Sequence, residues 1–289
     1  MASTQQLKSR IRSVKSTKQI TKAMQMVAAS KMRRAQDATK GSRAYTQAAL
    51  EVLTYLQSQG VADRHRWFET RTVKSRLIIV IAADKGLAGA YNSNMFKSYL
   101  NNLRSDDKEG IKNMTIAVGR KASQFVTRIK DTEVVGTYED IPDRPSGAQF
   151  HAILSTAKDL FEQKKVDAVD VIYTKFVSSV SQMPEVVRLF PAGFAPVDVV
   201  PGSIREATFE PSLEEVLETA TYRLVGAQLF QALLDARASE HSMRMLAMKN
   251  ATDNASDLID DLTLAMNKAR QGAITQELSE ISAGVEAMK

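Results

Sequence analysis

From Pro211 to Ala273 the chain reads PSLEEVLETATYRLVGAQLFQALLDARASEHSMRMLAMKNATDNASDLIDDLTLAMNKARQGA. Leu213, Leu217, Ala220, Leu224, Ala227, Gln231, Leu234, Ala238, His241, Met245, Met248, Thr252, Ala255, Ile259, Leu262, Met266, Ala269 and Ala273 follow at steps of four and three. Fifteen of these eighteen positions are apolar, over more than eight heptads. A mean step of 3.5 residues lies just under the 3.6 of a straight helix, so this stripe predicts a left-handed coiled-coil seam. Ser212 and Glu215 frame its start as an S-x-x-E capping box. Many of the knobs are alanine, which lets a partner helix approach closely.

The other end of the chain supplies a partner. Residues 3–59 contain no proline and read as one helix, with apolar residues at Leu7, Ile11, Val14, Ile20, Met24, Val27, Met32 and Ala35. Gly41 is the one interior weak point, at about 1 kcal/mol relative to alanine, and Gly60 is the expected stop. At 1.5 Å per residue such a helix is about 85 Å long, more than a small domain can bury. Residues 1–40 carry ten basic side chains against Asp37 alone, whereas residues 211–289 carry twelve acids against seven bases. The two ends, joined through a common middle, are expected to pair antiparallel with complementary charge. Each exposed ion pair adds only about 0.2–1 kcal/mol, so the apolar seam decides the pairing.

All 7 prolines fall between Pro142 and Pro211, and the middle has a different period. Arg76–Asp84 reads as a buried strand, with helices expected around Asn94–Leu103, Arg120–Ile129 and Ala148–Lys164. Further strands are expected at Met114–Val118, Glu133–Gly136, Val169–Phe176 and Val186–Phe190, the last being the candidate for an antiparallel strand. Strands that alternate with helices predict a mostly parallel, Rossmann-like sheet covered on its faces. The chain should leave it through the Pro/Gly-rich stretch 191–211. The expected fold is therefore α/β plus a coiled coil. The expected parts are an N-terminal helix over 1–60, a central domain over 75–200, and a C-terminal helix over 211–289 that pairs with the first.

Composition narrows the chemistry. There is no cysteine, which removes disulfides, thiol catalysis and cysteine metal sites. Only His65, His151 and His241 are present, too few for a histidine-rich metal cluster. The longest apolar run, Leu77–Ala83, is far short of the roughly 20 residues of a membrane span. No secretory h-region stands at the N-terminus. A soluble chain made in a reducing compartment is expected, with membrane association only through partners.

The turn Asp84-Lys85-Gly86-Leu87-Ala88-Gly89-Ala90-Tyr91-Asn92 follows a buried strand, where α/β folds often hold phosphates. It matches neither G-x-G-x-x-G nor the P-loop pattern. It reads as a tight strand-to-helix turn whose exposed loop could serve as a contact surface. His241 sits on the seam and reads as a packed residue rather than a ligand. Asp253, Asp257, Asp260 and Asp261 read as a solvated acidic face, because no second ligand-bearing segment accompanies them. No nucleophile–base or paired-carboxylate arrangement can be argued from spacing, so neither catalysis nor a cofactor is expected. A competing reading is a coiled-coil scaffold whose basic N-terminal helix binds nucleic acid and whose α/β head binds a nucleotide. Against nucleic acid stands the lack of any aromatic residue for base stacking within residues 1–44.

Three stretches carry a specific resemblance. ITKAMQMVAASKMRRA, Ile20 to Ala35, resembles the signature N-terminal helix of the γ subunits of F-type ATP synthases. EHSMRMLAMKNATDN, Glu240 to Asn254, and NKARQGAITQEL, Asn267 to Leu278, resemble that family's C-terminal helix. The turn at Asp84–Asn92 is similar to its D-[RK]-G-L-x-G-x-x-N loop, and the resemblance spans the full length in order. It implies a central stalk whose coiled coil stands inside a ring of three α and three β subunits (the α3β3 ring), with the α/β domain meeting the ε subunit and the c-ring. Proton flow would turn the c-ring and the stalk, and the stalk would drive the β catalytic sites through their binding states. The resemblance further implies that Lys22, Met24, Lys31 and Arg33 face the acidic levers of β. Lys85, Gly86 and Asn92 would add a second contact there, and Arg244, Arg270, Gln271, Thr275 and Glu277 would meet the β catch loops. Chloroplast-type members carry an insert with a cysteine pair that this chain lacks, and no mitochondrial presequence is visible. A bacterial protein, peripheral on the cytoplasmic face of the inner membrane, is the expected placement.

Overall fold

The computed structural model describes residues 4–60, 65–130, 132–142, 147–193, 204 and 208–287. Among the described residues the elements follow in order: α1 (Thr4–Ser58), β1 (Ser75–Ile81), α2 (Tyr91–Glu109), β2 (Lys112–Val118), α3 (Arg120–Val126), β3 (Glu133–Tyr138), α4 (Gly147–Glu162), β4 (Ala168–Phe176), β5 (Gln182–Phe190) and α5 (Leu213–Ala287). The chain divides into two compact units, Met1–Ala28 with Arg244–Lys289, and Ala29–Met243. The two terminal helices contribute to both.

In the smaller unit the seam is the organising feature. Leu7 and Ile11 pack with Leu262 in one buried cluster, flanked by Val14, Ile259, Met266 and Ala269. Further along, the Thr21 and Thr252 hydroxyls meet across the seam at 2.8 Å. The partner number falls as the first number rises, so the helices run antiparallel. Every seam residue of α5 from Leu217 to Ala269 is at least partly buried.

α1 keeps the same strict rhythm, but in a different phase from the one its apolar residues suggest. Its inward positions are Leu7, Ile11, Val14, Lys18, Thr21, Gln25, Ala28, Met32, Ala35 and Thr39, all buried or half-buried. Ile20 and Val27, expected in the stripe, are 58% and 57% exposed. Of the polar seam residues Lys18, Thr21 and Gln25, Thr21 is accommodated through its hydroxyl contact with Thr252. Each hydroxyl can also donate within its own helix, Thr21 to the Lys18 carbonyl at 3.1 Å and Thr252 to the Met248 carbonyl at 2.8 Å.

In the larger unit a five-stranded sheet has the order β3-β2-β1-β4-β5. β1 pairs parallel with β2 and β4, and β2 pairs parallel with β3. β5 returns antiparallel to β4 as an edge strand, as the shortness of the connection requires. β1 is buried on both faces, hence its unbroken run of Leu, Ile and Val. Leu77, Ile79 and Ile81 face a core built with α4 and with Val225, Leu229 and Leu233 of α5. Ile78 and Val80 face a second core with Met95, Tyr99 and Leu103 of α2 and Ala122 of α3. The lower turns of both long helices also meet in this unit, where Leu53 and Leu56 pack with Leu217 and Leu224.

The expected strands and helices are all present, with α2 longer at both ends than Asn94–Leu103 and β5 starting four residues before Val186. The Ser212 hydroxyl accepts from the Glu215 amide at 3.2 Å, the first half of the capping box. The exit at 191–211 lies mostly outside the described residues. Gly119 marks the tightest backbone approach. Its φ is +95°, and a Cβ there would sit 2.2 Å from the Ala82 carbonyl oxygen, so only glycine fits.

Candidate partner-contact surfaces

Because the sheet order reverses beside β1, the crevice between the carboxyl ends of β1 and β4 is the place where open α/β sheets bind ligands. Here α5 fills it. Met243 packs with Ala83, Ala88 and Tyr91 at the end of β1. Arg237 donates to the Asp84 carboxylate at 3.0 Å, to the Ile141 carbonyl at 2.6 Å and to Glu240 at 2.8 Å. On the β4 side, the Ser239 hydroxyl donates to the Thr174 carbonyl at 3.0 Å. A buried arginine, a buried serine and a methionine of α5 thus stand where open α/β sheets of this order hold ligands.

Asp84 anchors the loop that follows β1. Its other oxygen accepts from the Arg120 and Asp140 amides at 2.9 and 3.1 Å. Burial alone would push this carboxyl up. The two amides and the Arg237 guanidinium outweigh it, and the group titrates below its ordinary value. Burial would likewise loosen the proton on Arg237, but Glu240 and Asp84 more than compensate, so the guanidinium stays charged.

With its root fixed, the loop presents Lys85, Gly86 and Leu87 outward. Leu87 is 64% exposed and has a φ of +60°, a left-handed conformation that costs a non-glycine residue about 1–2 kcal/mol. Asn92 turns the other way: its side-chain carbonyl accepts from the Ala83 amide at 3.1 Å and closes the loop from beneath. Lys85 and Gly86 are therefore exposed on the loop, while Asn92 shapes it from within.

The remaining expected residues lie along the long helices. In the smaller unit Lys22 is exposed and Met24 and Arg244 are half-buried at the flanks of the seam. In the larger unit Lys31 is half-buried and Arg33 exposed. By the antiparallel register, residue 269 lies level with residue 4. Arg270, Gln271, Thr275 and Glu277 lie past the first described residue of α1, and every described side chain from 270 to 283 is exposed. Thr275 donates its hydroxyl to the Gln271 carbonyl within the helix at 2.9 Å.

One further contact candidate escaped the sequence. Ile20 and Val27 form an exposed apolar strip on one flank of the seam, while Met26, at 60% exposure, lies on the other flank beside Lys22. The strict four-three phase would have found it, since that phase leaves positions 20 and 27 outside. The acidic residues Asp253, Asp257, Asp260 and Asp261 are exposed, and no metal-holding group of side chains occurs among the described residues. His241 is buried at 4% exposure on the seam. A cavity of about 780 Å³ opens between α4 and α5, walled by Trp67, Phe150, Tyr222 and Phe230. Its Lys158 and Glu218 are already paired, with Glu162 and Arg66.

A crevice filled by α5, a loop with a fixed root and an exposed tip, and a coiled coil with polar flanks are the surfaces that the described residues present. The ATP synthase family model matches residues 3–288. The ATP synthase gamma chain of Moorella thermoacetica is 40% identical over 289 residues, covering all of both chains. Those of Stenotrophomonas maltophilia and Staphylococcus epidermidis are 38% and 36% identical over the same full length. The chain belongs to the ATP synthase gamma chain family.

Solved structures agree on the fold. A chain from the mitochondrial ATP synthase of Euglena gracilis superposes with a TM-score of 0.68 at 22% identity, over 99% of this chain and 94% of that one. A chain from the central stalk and c-ring of the Tetrahymena thermophila enzyme gives 0.57 at 26% identity, over 80% and 99%. Family membership, rather than the lack of base-stacking aromatics, decides against the nucleic-acid scaffold. Among the described residues no helix is long and apolar enough to cross a membrane.

Proposed function

We propose that this chain is the non-catalytic rotor of the F1 part of a proton-translocating ATP synthase, carrying torque between the c-ring and the β catalytic sites. The observation that supports this most directly is the 36–40% identity with gamma chains along all 289 residues. In functional terms, 1–60 and 211–289 act as the coiled-coil parts and 75–200 as the α/β part. Contact with the ring of α and β subunits falls to Lys22, Met24, Lys31 and Arg33, to Lys85 and Gly86 on a loop shaped by Asn92, and to Arg244, Arg270, Gln271, Thr275 and Glu277. The ε subunit and the c-ring meet the α/β part, so the chain joins the cytoplasmic face of a bacterial inner membrane only through Fo partners.

The physical requirement is differential contact. A shaft shifts the equilibrium of a catalytic site only as far as its contacts with that site's two conformations differ in free energy. An asymmetric coiled coil with a basic side, an acidic side and an off-seam apolar strip presents a different surface at each angle, and so favours a different state of each site.

The test is reconstitution of α and β subunits with and without the full chain. The expected result is stable capture of the chain by the ring, a rise in steady-state ATP hydrolysis, and no hydrolysis by the chain alone. Turnover by the isolated chain, or failure to bind the ring, contradicts the proposal.

A further inference from the structure

Apolar packing resists separation of two elements far better than it resists sliding, because dispersion and hydrophobic contacts are non-directional. Hydrogen bonds are directional and weaken steeply when misaligned. The cores on α5 hold the helix against the sheet, but its rotation about its own axis within the larger unit needs directional contacts. Buried contacts of this kind gather in a turn and a half, whereas the Arg66–Glu218 pair near the start of α5 is exposed.

Arg237 reaches Asp84 after β1 and the Ile141 carbonyl after β3, and Glu240 braces the same guanidinium. Ser239 reaches the Thr174 carbonyl on β4. Ser242 reaches the Ser179 carbonyl in the β4–β5 hairpin at 2.8 Å and accepts from Gln182 at 3.2 Å. At 100° per residue, Arg237 and Glu240 share one side of the helix while Ser239 and Ser242 share the other, their centres about 160° apart. All four residues are buried, with Ser239 and Ser242 at 0% exposure. The carboxyl edge of the sheet thus grips the helix from both wings, just before residue 244, where the larger unit ends. A ligand crevice has become a socket.

We infer that residues 237–242 form a keyed collar that fixes the rotational angle of α5 in the α/β unit, with Arg237 as the principal positioning residue for torque transfer. The inference rests on the rotor reading above. Nucleotide chemistry is untouched by it. Loss of the key lets the helix slip in its socket, so ATP hydrolysis by the ring continues while less of each step reaches the proton path.

The experiment uses the assembled ATP synthase in membrane vesicles, comparing wild type with Arg237→Met, Arg237→Lys and the pair Ser239→Ala with Ser242→Ala. Subunit content, ATP hydrolysis and ATP-driven proton pumping are read together. The expected result for Arg237→Met is hydrolysis within about twofold of wild type, unchanged subunit content and a several-fold fall in protons pumped per ATP. Arg237→Lys should restore most of that ratio. A purely stabilising residue would lower hydrolysis, pumping and subunit content together. That parallel loss in Arg237→Met, or an unchanged ratio there, overturns the inference. If Arg237→Met fails to assemble, the serine pair decides by the same ratio. A wild-type chain that assembles and pumps keeps the rotor reading whatever the variants do, whereas one that does neither removes that reading itself.

Discussion

At the scale of single residues, Asp84 does the most. It ties the amides at the starts of two neighbouring segments to a guanidinium on α5, and these contacts hold its carboxyl below its ordinary value near 3.8. The folded state therefore binds this proton more weakly than the unfolded state does. Its contribution to stability is fully present above pH 4 or so and drains away as the pH falls through the depressed value. Asp84→Asn should start less stable at neutral pH and lose less stability on acidification between about pH 5 and 3. Chemical unfolding across that range checks it, and identical slopes for the two proteins would contradict the assignment. None of this was readable from the sequence, since Arg237 and Asp84 stand 153 positions apart. The loop itself was legible, from its glycines after a buried strand. The inward turn of Asn92 was not, because a side-chain amide looks the same whether it faces a partner or its own backbone.

At the scale of elements, the α5 seam was legible from Leu217 to Ala269, its expected end positions Leu213 and Ala273 being exposed, and α1 only in part. The α5 stripe is apolar at fifteen of eighteen positions, so its phase is fixed by content alone. The α1 seam places Lys18, Thr21 and Gln25 inward, and the apolar Ile20 and Val27 nearby draw a sequence reading one residue off phase. The two phases differ in a measurable way. Ile11, at 8% exposure, packs with Leu262, and Ile11→Ala should cost about 2–4 kcal/mol. Ile20→Ala should cost no more than about 0.5 kcal/mol. Urea unfolding of the full chain separates the outcomes, and equal losses would return Ile20 to the seam. In the sheet, the strands were found because both faces of β1 are covered and its sequence is apolar without a break. The antiparallel return of β5 followed from the short link after β4. The capture of the crevice by α5 was hidden, since it depends on where a helix more than 120 residues later comes to lie.

At the scale of the whole molecule, family membership along the full length goes with the antiparallel pairing of the two terminal helices. The sequence reached this level because a coiled-coil period is long-range information written locally, repeated in every heptad. Polar seam layers at Thr21 and Thr252 fix register at some cost in stability, as polar positions do in other coiled coils. The exposed Ile20, Val27, Ile274, Leu278 and Ile281 are apolar surface that a partner would cover. The central claim is that this chain turns relative to the α and β subunits. It is tested most directly by fixing the reconstituted ring to a surface, attaching a bead to an introduced cysteine on the α/β unit of this otherwise cysteine-free chain, and adding ATP. The account predicts rotation in one direction, at a rate that rises and saturates with ATP concentration. Hydrolysis at full rate with the bead stationary or only fluctuating would contradict it.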